Sequence, residues 1–448
     1  MILVRKTTII NYILLSNTIL SNSIFPVTDY RLLKEKVLNW VQQFNTFCFL
    51  DNHQYHIQPH THECLVAAGK KNESSFISGG SLAQLQDFIN SKKNKWLFGH
   101  LSYDLKNQLE QLSSRHHDAI QFPELFFFEP LVLIRLNIDQ IIIEANDPQK
   151  VFNEINNAVS ISPGEIKKTS TVIVKNQIQK EEYISIIRRL QQHILRGDCY
   201  EINFCQEFFA EQVDIDPLSI YKDLSNISPN PFSAFYRIDH QWLLCASPER
   251  FLKKERTKIL AQPIKGTAER IHGDNNRDEQ RKKELFYSNK DRSENVMVVD
   301  LMRNDLSKVC EEGTVKVDEL YGIYSFPQVH QMISTISGEL KKDISFSGII
   351  RATFPMGSMT GAPKKRVMEL IEQYEKTKRG IFSGTLGYIS PTGDFDFNVV
   401  IRSIMYNSVS DYLSFQTGSA ITFYSDPEKE WEECLLKAEA IKKVFLQE

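Results

Sequence analysis

No run of basic residues marks this 448-residue chain, which carries a formal net charge of −3. That absence removes the electrostatic footprint a nucleic-acid-binding protein needs. Paired cysteines are missing too: the seven (48, 64, 199, 205, 245, 310 and 434) are odd in number, scattered, and form no CxxC pair. Neither a disulfide framework nor a zinc site follows, and a reduced, cytoplasmic setting is expected. Long apolar runs are absent as well. Between Ile9 and Phe25, residues Asn11, Ser16, Asn17, Thr18, Ser21, Asn22 and Ser23 interrupt the apolar side chains. That leaves no signal-peptide core and no membrane span, and predicts a strand or a loosely ordered leader. What is present is an ordinary globular composition, 42% hydrophobic and 24% charged, on a chain long enough for two domains or one large one.

Helical spacing runs over 32–44, followed by short strands at 47–50, 64–68 and 96–99. The aromatic-rich run 122–136, around Pro123 and Pro130, is too long for one strand and reads as two with a bend. Residues 150–175 are mixed and polar, with a Ser-Pro-Gly turn at 162–164, and read as a connector. Beyond Gln179, residues Tyr183, Ile187, Leu190 and Ile194 recur at helical spacing up to Arg196-Gly197-Asp198, a glycine C-cap pattern. Residues 279–309 predict one long helix or two in succession. Thr360 is the expected N-cap of a further helix, with Val367, Leu370, Ile371 and Tyr374 facing inward, and Asp426-Pro427 opens the last. No regular βαβ alternation appears. The expectation is an α+β fold, with large antiparallel sheets in the core and helices outside.

Several groups could carry chemistry. Lys265, in Gln262-Pro-Ile-Lys-Gly-Thr267, ends an apolar strand. It is either a solvated strand-end lysine or one that burial or a cationic neighbour turns into a nucleophile. Glu249 sits at a strand-to-turn junction before Arg250, as a local ion pair or as a general acid whose pKa burial raises. Glu430, Glu433 and Lys437 share one face of the last helix, either as surface pairs or as part of a hard-cation site. Glu294, beside apolar residues, is a candidate second ligand. The Gly-rich run 354–364 leads into a helix N-terminus, which suits a carboxylate, and its spacing is not that of a Walker loop. Arg402 would clamp another carboxylate, and Thr417-Gly418-Ser419-Ala420 reads as a turn offering N–H groups.

Six ordered motifs then carry a resemblance. They are Gly197-Asp-Cys-Tyr-Glu-Ile-Asn203, Ser247-Pro-Glu-Arg-Phe251, Pro263-Ile-Lys-Gly-Thr267, residues 291–305, residues 357–364, and residues 426–437. Over roughly 180–445 the chain resembles the chorismate-utilising enzymes related to anthranilate synthase component I, and within them the aminodeoxychorismate synthase branch. The resemblance implies an N-terminal subregion, 1–165, and a chorismate-binding catalytic region, 166–448, in one compact unit. It implies Mg²⁺ and ammonia from a partner glutaminase, for para-aminobenzoate and folate synthesis. It makes Lys265 the nucleophile, Glu249 the acid, and Glu294 and Glu433, with Glu430 nearby, the Mg²⁺ ligands. Gly266, Thr267, Arg402, Gly418, Ser419, Ala420 and Lys437 would contact substrate. Anthranilate synthases are similar but carry Ala in the Lys265 slot, and isochorismate synthases place a lysine where this chain has Glu201. Departures from the branch pattern are Glu201 for Gln, Gln331 for a second His after His330, and Ala420 for Gly. Phe382 stands where anthranilate synthases have Tyr.

Overall fold

The computed structural model describes residues 21–56, 58–59, 62–158 and 172–445. Among them are two antiparallel sheets, of twelve and ten strands, and eleven α-helices. In the larger sheet, alternate side chains serve two cores, as the two-residue period of a strand requires. From Thr46–Asp51, Phe47 and Phe49 enter one hydrophobic cluster and Cys48 the other. Phe235 and Tyr236 divide in the same way, as do Leu244 and Leu243. The first cluster is roofed by helices that include Tyr30–Trp40, Lys180–Leu195, Pro217–Ile227 and Pro427–Lys442. The second joins the larger sheet to the smaller one and to helices Asn289–Ser307 and Phe346–Thr353. Each fully buried Phe or Leu there is worth about 1.5–3 kcal/mol.

The run 122–136 forms two strands, Leu125–Phe128 and Pro130–Leu136, and each belongs to a different sheet. Residues 279–309 form two helices, Asn275–Tyr287 and Asn289–Ser307. The Lys180–Leu195 helix ends at Arg196, and Gly197 follows with φ +82°, the left-handed geometry that favours glycine. Asp426 caps the last helix, with Pro427 at its first position. Strands from either side of residue 165 share both sheets: Thr46–Asp51 pairs with Phe232–Ile238, and Leu97–Leu101 with Thr385–Ile389.

Two expectations need correction, and the strand expected in the leader is present in part. The connector over 150–175 is partly helical, because Asp147 accepts from the Lys150 N–H and Pro148 opens a helix to Asn157 that buries Val151 and Ile155. The turn at 162–164 lies outside the described residues. Within the leader, Ser21–Pro26 is a strand paired with Gln140–Ala145, and residues 1–20 lie outside the description. Thr360 is not an N-cap. It precedes the two-residue strand Gly361–Ala362 on the edge of the larger sheet, and the helix Lys364–Tyr374 follows Pro363 with no side-chain cap.

Arg379 ties this edge together. Its guanidinium donates to both oxygens of Glu375 at 2.6 and 2.9 Å, to the Met359 carbonyl at 2.6 Å and to the Asn203 carbonyl at 2.8 Å. Both partners are almost fully buried. Arg379→Ala should cost about 3–5 kcal/mol by stranding Glu375. Arg379→Lys should recover little of it, because an ammonium lacks the fork. Denaturant melts of both variants check this.

Candidate active site

At two points far apart in sequence, the backbone passes from one sheet to the other at the same place. Gln241–Ser247, in the larger sheet, passes through Pro248 and Glu249 into Arg250–Glu255 of the smaller. Phe395–Asn398 of the smaller sheet returns through 399–402 to Ser403–Asn407 of the larger. The crossings are laced together: Val399 N–H donates to the Glu249 carbonyl, Ala246 N–H to the Arg402 carbonyl, and the Ser247 hydroxyl to the Val399 carbonyl. Glu249 and Arg402 are therefore presented by neighbouring segments of an over-determined scaffold. Arg402 is held at φ +50°, a region costly for a residue with a Cβ and often found at functional sites.

Glu249 is 4% exposed. The local ion pair with Arg250 does not form, because Arg250 turns away to grip Asp396 through two bonds of 2.9 and 3.0 Å and Gln262 at 2.5 Å. Burial pushes the Glu249 carboxyl up to about 7, against the Ser358 hydroxyl, Lys265, the Ile264 N–H and Arg402. That is the environment of a general acid near neutral pH. Burial lowers the Arg402 pKa from its ordinary value, with Glu249 opposing. No side-chain hydrogen bond or ion pair holds its guanidinium among the described residues.

Lys265 lies on Ile264–Glu269, an edge strand of the smaller sheet, at a bulge. The register slips one residue between Ile264↔Ile333 and Thr267↔Gln331. Gly266 sits in the bulge at φ +90°, and a Cβ there would lie 2.9 Å from the Asp291 side chain, so the bulge can be read as a glycine requirement. Lys265 Nζ lies 3.1 Å from Glu201 Oε1, and both side chains are largely buried. Its ionisation differs from the expectation. Burial alone would lower the ammonium pKa, but Glu201, Glu294 and Glu249 together raise it above 10.5. Carboxylate neighbours, not cations, surround it, so the resting lysine is charged.

Glu294, on Asn289–Ser307, is raised to about 7 by burial, against the pull of Lys265 and Lys290, with Glu201 and Asp291 adding to the rise. Burial also raises Glu433, but Lys437, Lys290 and Lys265 outweigh it and leave its pKa below the ordinary value. The exposed Lys290 ammonium sits in the field of Glu294, Glu430, Glu433 and Asp291. Glu430 is spent on a 2.5 Å bond from the Ser419 hydroxyl. No three His, Cys, Asp or Glu side chains converge as a metal-binding group among the described residues. Glu294 and Glu433 each lie in the field of Lys265 and Lys290, and carboxylates are the protein ligands that a hard cation needing only one or two would use.

One expectation about a backbone anion site fails. Residues 417–420 form no turn; they lie inside the strand Tyr412–Ile421, paired residue by residue with Glu201–Ala210. Gly418 is required there by close approach, since a Cβ would lie 2.4 Å from the Phe204 carbonyl oxygen. Ala420 does not have a left-handed φ, so the loss of a glycine is tolerated. Lys437 donates to the Gly418 carbonyl at 2.8 Å and pairs with Glu433 at 2.8 Å, bridging helix and sheet. In the 357–364 run, Lys364 is bound to Asp305 at 2.5 Å, Asn203 holds the Ser358 carbonyl, and the Ser358 hydroxyl faces Glu249. Ser358 lies inside the 357–364 motif, whereas Lys290, one residue before the 291–305 motif, carries no sequence signal of its own. Gln331, across the ladder from Thr267, is fully buried with neither amide atom bonded to protein. Phe382 is core.

A buried acid, a lysine among carboxylates and an uncommitted arginine come together where two strands of an α+β fold cross between its antiparallel sheets. The chain belongs to the chorismate binding enzyme family, whose model matches residues 44–443. It is 36% identical to the chloroplastic aminodeoxychorismate synthase of Arabidopsis thaliana over 363 residues, 76% of this chain and 39% of that protein. It is 33% identical to aminodeoxychorismate synthase component 1 of Klebsiella aerogenes, covering 77% of this chain and 75% of that one. The chain thus spans well under half of the plant protein and most of the bacterial one. Its fold matches that of anthranilate synthase component I from Streptococcus pneumoniae TIGR4 with a TM-score of 0.73 at 23% identity, over 86% of this chain and 93% of that one. No helix among the described residues is long and apolar enough to cross a membrane.

Proposed function

We propose that this protein is an aminodeoxychorismate synthase subunit, which aminates chorismate at C4 and retains the enolpyruvyl group. The observation that carries this reading is that Lys265 and Glu249 are both largely buried and lie in each other's electrostatic field. Lys265 attacks ring C2 while Glu249 protonates the departing C4 hydroxyl; ammonia then adds at C4 and expels the lysine. Arg402 binds one substrate carboxylate through its uncommitted guanidinium, and Gly266 and Thr267 on the edge strand contact the ring carboxylate. Glu294 and Glu433 would hold Mg²⁺, which supplies charge neutralisation for the second carboxylate. Ammonia comes from a partner glutaminase in a heterodimer, so glutamine alone should support no turnover, whereas ammonium should.

Anthranilate synthesis is the competing reading, and Lys265 argues against it. The test is chromatography of purified protein incubated with chorismate, Mg²⁺ and ammonium. 4-Amino-4-deoxychorismate is expected; anthranilate with pyruvate would overturn the reading, and no turnover would favour a subunit that only docks the glutaminase.

A further inference from the structure

We propose that Glu201 is the proton acceptor that turns the Lys265 ammonium into a nucleophilic amine. This rests on the covalent reading above, which leaves unanswered how a lysine held in its charged form acquires a lone pair. Among the described residues, Glu201 is the one carboxylate within ion-pair distance of Lys265 Nζ, at 3.1 Å, and its side chain is 4% exposed. Its second oxygen, Oε2, is buried with no hydrogen-bond partner.

That half-satisfied state distinguishes the pair from the structural ion pairs of the same chain. Arg379–Glu375 and Arg250–Asp396 are buried and forked, with both carboxylate oxygens occupied. Arginine keeps its proton in such settings. At Glu201 the partner is a lysine, which can lose one, met through a single oxygen. A pair built for stability would not leave a buried acceptor unpaired.

The step balances. The Nζ–H bond breaks, its electrons stay on nitrogen, and the proton passes to Glu201. The Nζ–C2 bond forms as C4–O breaks, and the hydroxyl leaves as water with the Glu249 proton. Ammonia bonds C4 as Lys265 leaves C2 as a neutral amine. The new C4 ammonium returns a proton to Glu249, and Glu201 returns its own to Lys265. The groups facing Lys265 are Glu201 on its strand, Glu249 at the crossover and Glu294 on its helix, with Glu433 also in its field.

An internal acceptor has a distinctive pH signature. The share of the amine–carboxylic acid tautomer is independent of pH between the two ionisations, whereas an amine that must lose its proton to water gains about tenfold per pH unit. The test compares Glu201→Gln with the parent protein across pH, at constant free ammonia and with Mg²⁺ present, reading kcat/KM for chorismate as a ratio so that Glu249 cancels. The ratio should be about 10⁻² near pH 7 and climb about tenfold per pH unit. Glu201→Asp, which keeps a carboxylate, should give a ratio that stays level, and it serves as the probe if the Gln variant does not fold. A level ratio for Glu201→Gln, or a climbing one for Glu201→Asp, overturns the assignment. Lys265→Ala is run alongside: if it keeps full C4 amination, the covalent reading falls and takes this one with it. If it is inactive while the Glu201→Gln ratio is level, only the Glu201 assignment falls.

Discussion

Lys265→Ala should abolish amination at C4, by roughly 10³-fold or more, the scale expected when a nucleophile is deleted while its binding groups remain. Its effect on stability must be separated from that loss. Lys265 neutralises Glu201 and Glu294 in a largely buried setting, and removing it leaves Glu201 without its ion-pair partner at a cost of about 3–5 kcal/mol. The double variant Lys265→Ala/Glu201→Gln removes the stranded charge and should recover most of the melting midpoint with no recovery of C4 product. Calorimetry and chromatography on the same samples check both halves. The single variant also recreates the Pro-Ile-Ala-Gly-Thr sequence of the anthranilate synthases, so any residual turnover should appear as amination at C2. Full C4 synthesis by either variant would remove the lysine from the mechanism.

Much of the scaffold could be read from local pattern because its cause is local. Continuous apolar runs at 47–50 and 64–68 make strands buried on both faces, with alternate side chains serving the two cores. Gly197 and Asp426 stop and start helices through geometry confined to a few residues. The misread segments share a different cause. Gly418 resembles a turn glycine, but it is fixed by the Phe204 backbone, more than two hundred residues away in sequence. Thr360 has the chemistry of an N-cap, yet pairing with the strand from Glu201 draws the next residues into the sheet. Asp147-Pro148 was a helix start hidden in a polar stretch with only two buried apolar positions, Val151 and Ile155. The charge state of Lys265 was least accessible. The carboxylates that hold its proton come from residues 201, 249 and 294, three separate elements whose convergence exists only after the two crossovers form.

Glu249→Gln should separate catalysis from stability in opposite directions. The Glu249 carboxyl is raised from its ordinary 4.5 to about 7, chiefly by burial. The folded state therefore binds the proton more tightly than the unfolded chain, and stability falls as pH rises from the unfolded value through about 7, then levels. At ~1.4 kcal/mol per pH unit, the ionised form costs the fold about 3 kcal/mol at alkaline pH. Glutamine keeps the shape and cannot ionise, so the variant should melt higher than the parent above pH 7 and match it more nearly near pH 5. Catalysis moves the other way. Without a proton to give the C4 hydroxyl, kcat should fall by about 10²–10⁴-fold. The parent's dependence on the acid form should appear as a loss of kcat/KM above about pH 7 at constant free ammonia. A variant that melts higher yet turns over normally would leave Glu249 a buried charge with no part in the reaction. One that melts lower would mean that the bonds from Ser358 and the Ile264 N–H outweigh the burial penalty. The pH dependence of the melt tells these apart, because only an ionising Glu249 makes the gap between the two proteins widen across neutrality.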